Sequence, residues 1–123
     1  LEVKLAEHIQ VPGDEAQLRQ VLEILLDNAR KYAQKGGTTW VDLRRRGKNR
    51  CLLTVADEGE AIAPQTLNHL FERFYRADPA RSRDGSFGLG LSIAEAIVKR
   101  HRGRIWAESR EGVNTFRVEL PCL

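Results

Sequence analysis

The chain has 123 residues, 41% of them hydrophobic and 30% charged, with a net charge of +3. That length suits one domain with a single core, and no apolar run approaches the ~20 residues that a membrane-spanning helix needs. Cys51 and Cys122 have neither metal-ligand spacing nor a CxxC pairing, and read as reduced, apolar residues carried on strands.

In chain order, Leu1 to Val11 alternates in part through Leu1, Val3 and Leu5, as an edge strand does, and Pro12-Gly13 stops it. Asp14 is placed to cap a helix over 15–34. Leu18, Val21, Leu22, Leu25, Ala29 and Tyr32 recur there at helical spacing until Gly36-Gly37. Asn28 shares the apolar face of this helix, three residues after Leu25 and four before Tyr32. An amide placed there costs on the order of 1–3 kcal/mol if left without partners. Asn28 therefore either ties down a neighbouring backbone or contacts a metal or ligand at the rim of a pocket.

Residues 39–46 and 50–56 read as the arms of a hairpin, with Val41, Leu43, Leu53 and Val55 inward and a turn at Gly47 and Asn49. The Arg44, Arg45, Arg46, Lys48 and Arg50 cluster reads as a solvated turn. It is not read as a nucleic-acid patch, because no aromatic platform is interleaved with the charges. Asp57 follows the second arm, ahead of Glu58-Gly59-Glu60-Ala61. A strand-end carboxylate can accept from a ligand amino group, and it is equally an ordinary way to leave a strand. Pro64 opens a short helix with Leu67, Leu70, Phe71 and Phe74 at i, i+3, i+4 and i+7. Residues 77–84 offer no apolar anchor and are expected to form a mobile loop, a lid beside the glycines that follow.

Gly85, Gly88 and Gly90 run into a helix from Leu89 to about His101, with Leu89, Ile93, Ala94, Ile97 and Val98 toward the core. Glycines entering a helix N-terminus suit a phosphate, and also suit simple close packing of helix on sheet. The spacing is neither a Walker A nor a dinucleotide fingerprint, but Arg73, Arg76, Arg81 and Arg83 stand beside it and favour an anionic ligand. Gly103 ends the helix. Two strands follow, 104–109 with Ile105 and Ala107 inward and 115–120 with Phe116, Val118 and Leu120 inward, joined by a turn at Glu111-Gly112-Val113-Asn114. The order predicts an α/β two-layer sandwich, a mixed, mainly antiparallel sheet of about five strands with three main helices on one face.

The succession of Leu25-Leu26-Asp27-Asn28-Ala29-Arg30-Lys31-Tyr32-Ala33, Asp57-Glu58-Gly59, Leu70-Phe71-Glu72-Arg73-Phe74-Tyr75-Arg76-Ala77-Asp78 and Gly88-Leu89-Gly90-Leu91-Ser92-Ile93 resembles the N, G1, F and G2 boxes of bacterial sensor histidine kinases. The resemblance spans nearly the whole chain. It implies the Bergerat fold of the GHKL superfamily, clasping ATP under a flexible lid, and transfer of the γ-phosphoryl group to a histidine in a two-component system. It further implies that Asn28 holds Mg²⁺ and, with Arg76 at the γ-phosphate, forms the catalytic pair. Lys31 reaches phosphate, Tyr32 lies near adenine, and Asp57 accepts from the adenine amino group. Gly59 lets the chain turn beside the base, while Gly85, Gly88 and Gly90 shape the lid hinge and phosphate cradle. Ile62, Phe71, Leu89, Leu91 and Thr115 complete the implied nucleotide-binding set.

At three places the chain departs from the family pattern: Ile24 replaces a second Asn one turn before Asn28, Ala61 replaces a glycine of the G1 box, and Ser86-Phe87 replace small residues of G2. His8, His69 and His101 read as surface or packing histidines and not as phosphoacceptors. The resemblance thus implies that residues 1–123 form one catalytic and ATP-binding domain, a monomer in isolation. The phosphoacceptor and dimerisation domain is expected upstream in a homodimeric full-length kinase, with a response regulator downstream. A cytoplasmic domain of an inner-membrane sensor is expected, with no nucleic-acid partner and no membrane contact of its own. The alternatives are a GHKL-type ATPase, which Ile24 disfavours because a water-activating glutamate is missing there, and a degenerate, non-catalytic interaction domain.

Overall fold

Alternating residues in the four longest strands give a sheet one apolar face, and two amphipathic helices cover it. The computed structural model describes residues 1–6, 9–75 and 90–123. Its elements are β1 (Glu2–Leu5), α1 (Glu15–Tyr32), β2 (Thr39–Arg45), β3 (Arg50–Glu58), α2 (Pro64–Leu67), α3 (Gly90–Arg100), β4 (Arg104–Arg110) and β5 (Val113–Pro121). The five strands run in the order β1-β2-β3-β5-β4. β1 pairs parallel with β2 and every other pairing is antiparallel, so the expected mixed, mainly antiparallel sheet is present.

Register explains which side chains meet. Val41 opposes Val55, Val55 opposes Phe116, and Phe116 opposes Ala107, so one row of the pleat runs across the sheet beneath the helices. Val55, Phe116 and Val118 are fully buried there, against Val21, Leu25 and Ala29 of α1 and Ala94, Ile97 and Val98 of α3. Replacing a ring buried like Phe116 with Ala typically costs about 3–5 kcal/mol. Cys51 and Cys122 lie in the same core as free, buried thiols, and burial pushes the Cys51 thiol up to about 11.

Asp14 caps α1 as expected, its Oδ1 accepting from the Gln17 N–H at 3.1 Å. His101 makes a second tie, its Nε2 accepting from the Asp14 N–H at 3.1 Å while its Nδ1–H donates to the Ile97 carbonyl at 2.8 Å. This ring therefore pins the start of α1 to the end of α3. Past α3, Arg102 takes the left-handed conformation (φ 62°), and Gly103 passes where a Cβ would stand 2.4 Å from the Glu119 carbonyl oxygen.

Two expectations fail in detail, while the edge-strand reading of β1 holds. The helix opened by Pro64 is four residues long, not a run to Phe74; Phe74 has φ 66° and is 63% exposed, its ring stacked by the Arg73 guanidinium. Leu70 drops into the core at 5% exposure, and turns replace the helix around it. Ile93 sits at the edge of the α3 stripe and is 38% exposed. Val3 and Leu5 do face the helical side, but β1 is the outermost strand and both are exposed. Around the hairpin, the basic cluster is partly spent internally, with Arg46 and Arg50 both on the buried Glu119 carboxylate at 3.2 and 2.8 Å.

Candidate nucleotide site

The last turns of α1, the end of β3 and the loop that leaves it are joined by backbone bonds. Ala33 bridges to Gly59, the Gln34 N–H donates to the Glu58 carbonyl at 2.8 Å, and the Gly59 N–H donates to the Gly112 carbonyl at 3.0 Å. This explains why α1 stops at Tyr32, earlier than Gly36-Gly37 suggested: Ala33 leaves the helix to pair with Gly59. Gly59 is required for that approach and not for an unusual turn. A Cβ there would stand 1.9 Å from the Tyr32 carbonyl oxygen and 2.9 Å from Asp57 Oδ2.

Asp57 is fully buried within β3, and neither carboxylate oxygen has a hydrogen-bond partner. Burial pushes its carboxyl up to about 6. Its cross-strand neighbour Asn114 works against the shift through its side-chain amide, one hydrogen of which donates to the Glu60 carbonyl at 2.8 Å. Tyr32 is half-buried, its phenol raised by burial first and then by Tyr75 and Asp57. Asn28, one turn earlier on α1, keeps its Nδ2 buried without a partner. The amide on the apolar face therefore does not tie down a neighbouring backbone through that atom. A buried carboxylate with two unused oxygens asks for hydrogen-bond donors, and such groups in native structures call for a ligand or another explanation.

Other implied site residues fall around these. Lys31 is exposed and lines, with Tyr32, Ala33, Gln34 and Glu60, an open pocket of about 230 Å³. Ile62 is buried, and its N–H donates to Ser109 Oγ at 2.9 Å. Phe71 and Leu91 are half-buried against the core. Gly90 opens α3 with Ile24 Cγ2 3.5 Å from where a Cβ would stand, so Ile24 packs as an apolar contact beneath the start of that helix. Ala61, which replaces a glycine of the G1 box, lies exposed on its loop. Thr115 does not join the group. It follows Asn114 by one residue, so the pleat turns it to the opposite face of the sheet from Asp57. Arg76, Gly85, Gly88 and Leu89, with the expected lid, lie outside the described residues.

Two residues of this region were missed in the sequence. Asn114 was read as a turn and Ser109 as an ordinary strand residue, yet Asn114 is fully buried opposite Asp57, and Ser109 Oγ–H donates to its Oδ1 at 2.6 Å. The available signal was parity, since Asn114 stands two before the inward Phe116. Among the described residues no set of three or more His, Cys, Asp or Glu side chains is arranged for a metal, and no helix is long and apolar enough to cross a membrane.

Comparison with known proteins agrees with this geometry. The pattern of the family described as histidine kinase-, DNA gyrase B-, and HSP90-like ATPase matches residues 13–123. The chain is 45% identical over 121 residues to the sensor histidine kinase TrcS of Mycobacterium tuberculosis, covering 95% of this chain and 24% of that protein. Among solved structures it is similar to the mycobacterial sensor histidine kinase MprB, with TM-score 0.87 and 29% identity, over 98% of this chain and 82% of that one. Full-length ShkA in complex with AMPPNP superimposes with TM-score 0.82 and 26% identity, over 98% of this chain and 25% of that one. The chain thus spans about a quarter of the length of the curated relatives it matches.

Proposed function

The chain belongs to the histidine kinase-, DNA gyrase B-, and HSP90-like ATPase family, and on that premise we propose that it binds Mg-ATP and presents the γ-phosphoryl group to a histidine on a separate dimerisation domain of a sensor kinase. The observation that carries this reading is Asp57, a fully buried carboxylate with both oxygens unused, beside Tyr32 and the end of α1. An exocyclic amino group of adenine donates to such a carboxylate, whereas guanine offers a carbonyl oxygen at the equivalent edge and is repelled. The structure of full-length ShkA in complex with AMPPNP supports an adenine nucleotide as the ligand class.

Asn28 is the residue that would hold Mg²⁺ through its side-chain carbonyl. With Ile24 apolar one turn earlier, it supplies one protein oxygen, which suits an ion that keeps several waters and takes substrate phosphates as ligands. When bound, Mg²⁺ supplies charge neutralisation on the phosphates. Lys31 and Arg76 would add positive charge along the same groups. Attack of the incoming imidazole nitrogen on the γ-phosphorus, with release of ADP, asks this chain for positioning and charge compensation and for no covalent step of its own. A hydrolytic reading lacks its base: Ile24 cannot activate water, and Glu23 is exposed on another side of α1. The phosphoacceptor domain, a homodimeric full-length kinase, a response regulator and a cytoplasmic position of this domain are parts of the same proposal.

Thermal melts with and without Mg²⁺, with ATP or GTP, test it. A ligand at a hundred times its Kd adds about 2.7 kcal/mol. At ~2.1 cal/mol/K of unfolding entropy per residue this raises the midpoint by roughly 10 °C. An ATP-selective, Mg-dependent rise is expected; equal responses to ATP and GTP, or none at millimolar nucleotide, would overturn the assignment and favour the interaction-domain alternative.

A further inference from the structure

The loop that leaves β3 after Asp57 is held by a chain of three side-chain hydrogen bonds that the nucleotide reading does not use. The Ile62 N–H donates to Ser109 Oγ at 2.9 Å, Ser109 Oγ–H donates to Asn114 Oδ1 at 2.6 Å, and Asn114 Nδ2–H donates to the Glu60 carbonyl at 2.8 Å. The direction is fixed by chemistry. A backbone carbonyl only accepts, so Nδ2 of Asn114 must face Glu60 and Oδ1 must face Ser109. A backbone N–H only donates, so the Ser109 oxygen accepts from Ile62 and has its own proton free for Asn114.

We propose that Ser109 and Asn114 are positioning residues for base recognition: together they hold the Glu60–Ile62 segment against the β4–β5 hairpin and so fix the wall of the pocket at Asp57. This rests on the reading of Asp57 as the adenine acceptor. Three features support it. Asn114 is fully buried directly opposite Asp57, and its amide ties the loop through the Glu60 carbonyl. The relay grips the loop at two points, Glu60 and Ile62, and Gly59 is gripped separately by Gly112 and by its approach to Tyr32. The Ile62 side chain is itself buried at 7% exposure, so moving its backbone moves an apolar group at the site. Ser109 and Asn114 need not touch nucleotide; they act through where the loop stands.

Ser109→Ala removes both of the hydroxyl's bonds and leaves Asp57, Asn28 and Lys31 in place, and Ser109→Thr restores an oxygen able to make both. The measurement is the Kd of the full chain for Mg-ATP and for Mg-GTP by titration calorimetry, with competition for the weaker ligand. Ser109→Ala is expected to weaken ATP about five- to tenfold, the equivalent of one hydrogen bond, with GTP changed less than twofold, so that the ATP:GTP preference falls. Ser109→Thr should keep the preference of the parent chain. A serine that only supports folding gives a different result: a lower melting midpoint with the ATP:GTP ratio unchanged, or equal losses for both nucleotides, and either overturns the positioning role. Where Ser109→Ala fails to fold, the Ser109→Thr and Ser109→Cys pair decides it. Ser109→Cys keeps the shape but weakens both bonds without placing a charge beside Asp57, and an unchanged ATP:GTP ratio there also overturns the proposal. If the parent chain itself shows no preference for ATP, the Asp57 reading fails first and the relay, as a selectivity device, falls with it.

Discussion

Replacing Asp57 with Asn should make the unliganded protein more stable while disabling its nucleotide site. The Asp57 carboxyl is pushed from its ordinary 3.8 to about 6 by burial. Below pH 4 the group is protonated whether the chain is folded or unfolded, and it has no effect on stability. Between pH 4 and 6 the folded chain keeps a proton that the unfolded chain has released, so rising pH favours unfolding; above 6 the full penalty applies. A shift of that size corresponds to roughly 3 kcal/mol. Asparagine mimics the protonated, uncharged side chain at every pH, so Asp57→Asn removes the penalty without adding bulk.

At ~2.1 cal/mol/K per residue, a penalty of this size amounts to about 10 °C in melting midpoint. The assay is a series of thermal melts of both proteins from pH 4 to pH 8 at fixed ionic strength. The two midpoints should coincide near pH 4 and separate as pH rises to 7, with Asp57→Asn the more stable. Mg-ATP should flatten the slope of the parent protein, because a donor on the carboxylate restores a lower pKa, and should do little for the variant. Parallel pH curves would refute the account of Asp57 as a desolvated, unpartnered carboxylate.

The other expectations divide between site and scaffold. Asn28→Ala should abolish the Mg-dependent part of ATP affinity without lowering the unliganded melting point, since its buried Nδ2 has no partner to lose; calorimetry with and without Mg²⁺ checks this. Gly59→Ala should lower stability by about 3 kcal/mol or more, read by denaturant melts, because a Cβ 1.9 Å from the Tyr32 carbonyl must displace backbone. His101→Ala should cost about 1–2 kcal/mol, through loss of its bonds to the Asp14 N–H and the Ile97 carbonyl, without altering the ATP:GTP ratio. Thr115→Val should leave nucleotide affinity unchanged in the same titrations, since Thr115 stands on the far face of the sheet.

Much of the architecture could be read from period alone. The stripe Val21, Leu25 and Ala29 gave α1, and the alternation through Val41, Val55, Phe116 and Val118 gave the inner face of the sheet. The errors occur where tertiary contacts override local pattern. Phe74 fits a helical repeat but sits past Leu70, whose insertion into the core ends the helix after one turn. Ala33 fits the end of α1 but is taken by Gly59. Asn28 was legible as a polar residue on an apolar helix face, and Asp57 as a carboxylate at a strand end. The role of Gly59 was misread because a close approach between distant segments leaves no mark in the local sequence. Thr115 was taken from resemblance to a family motif, and strand parity, which the sequence did contain, gives its place to Asn114.

If Asp57 is the base acceptor proposed above, the distribution of satisfied and unsatisfied groups around it argues that this end of the site is built before ligand arrives. The backbone nearby is paired: Gly59 to Gly112, Gln34 to Glu58, Glu58 to Thr38, Ile62 to Ser109. The unpaired buried side-chain atoms among the described residues are those of Asp57 and the Nδ2 of Asn28. A loose site would show the reverse, with backbone groups unpaired on the loop and side chains turned to whatever partner was near. Each buried unsatisfied group costs about 1–3 kcal/mol, and Asn114, across the strand pair from Asp57, is held in place by its bonds to Glu60 and Ser109. A ligand that satisfies the carboxylate therefore recovers a penalty already present in the folded chain. Affinity and selectivity at this end then depend less on closing the pocket than on keeping Asp57 without any other partner.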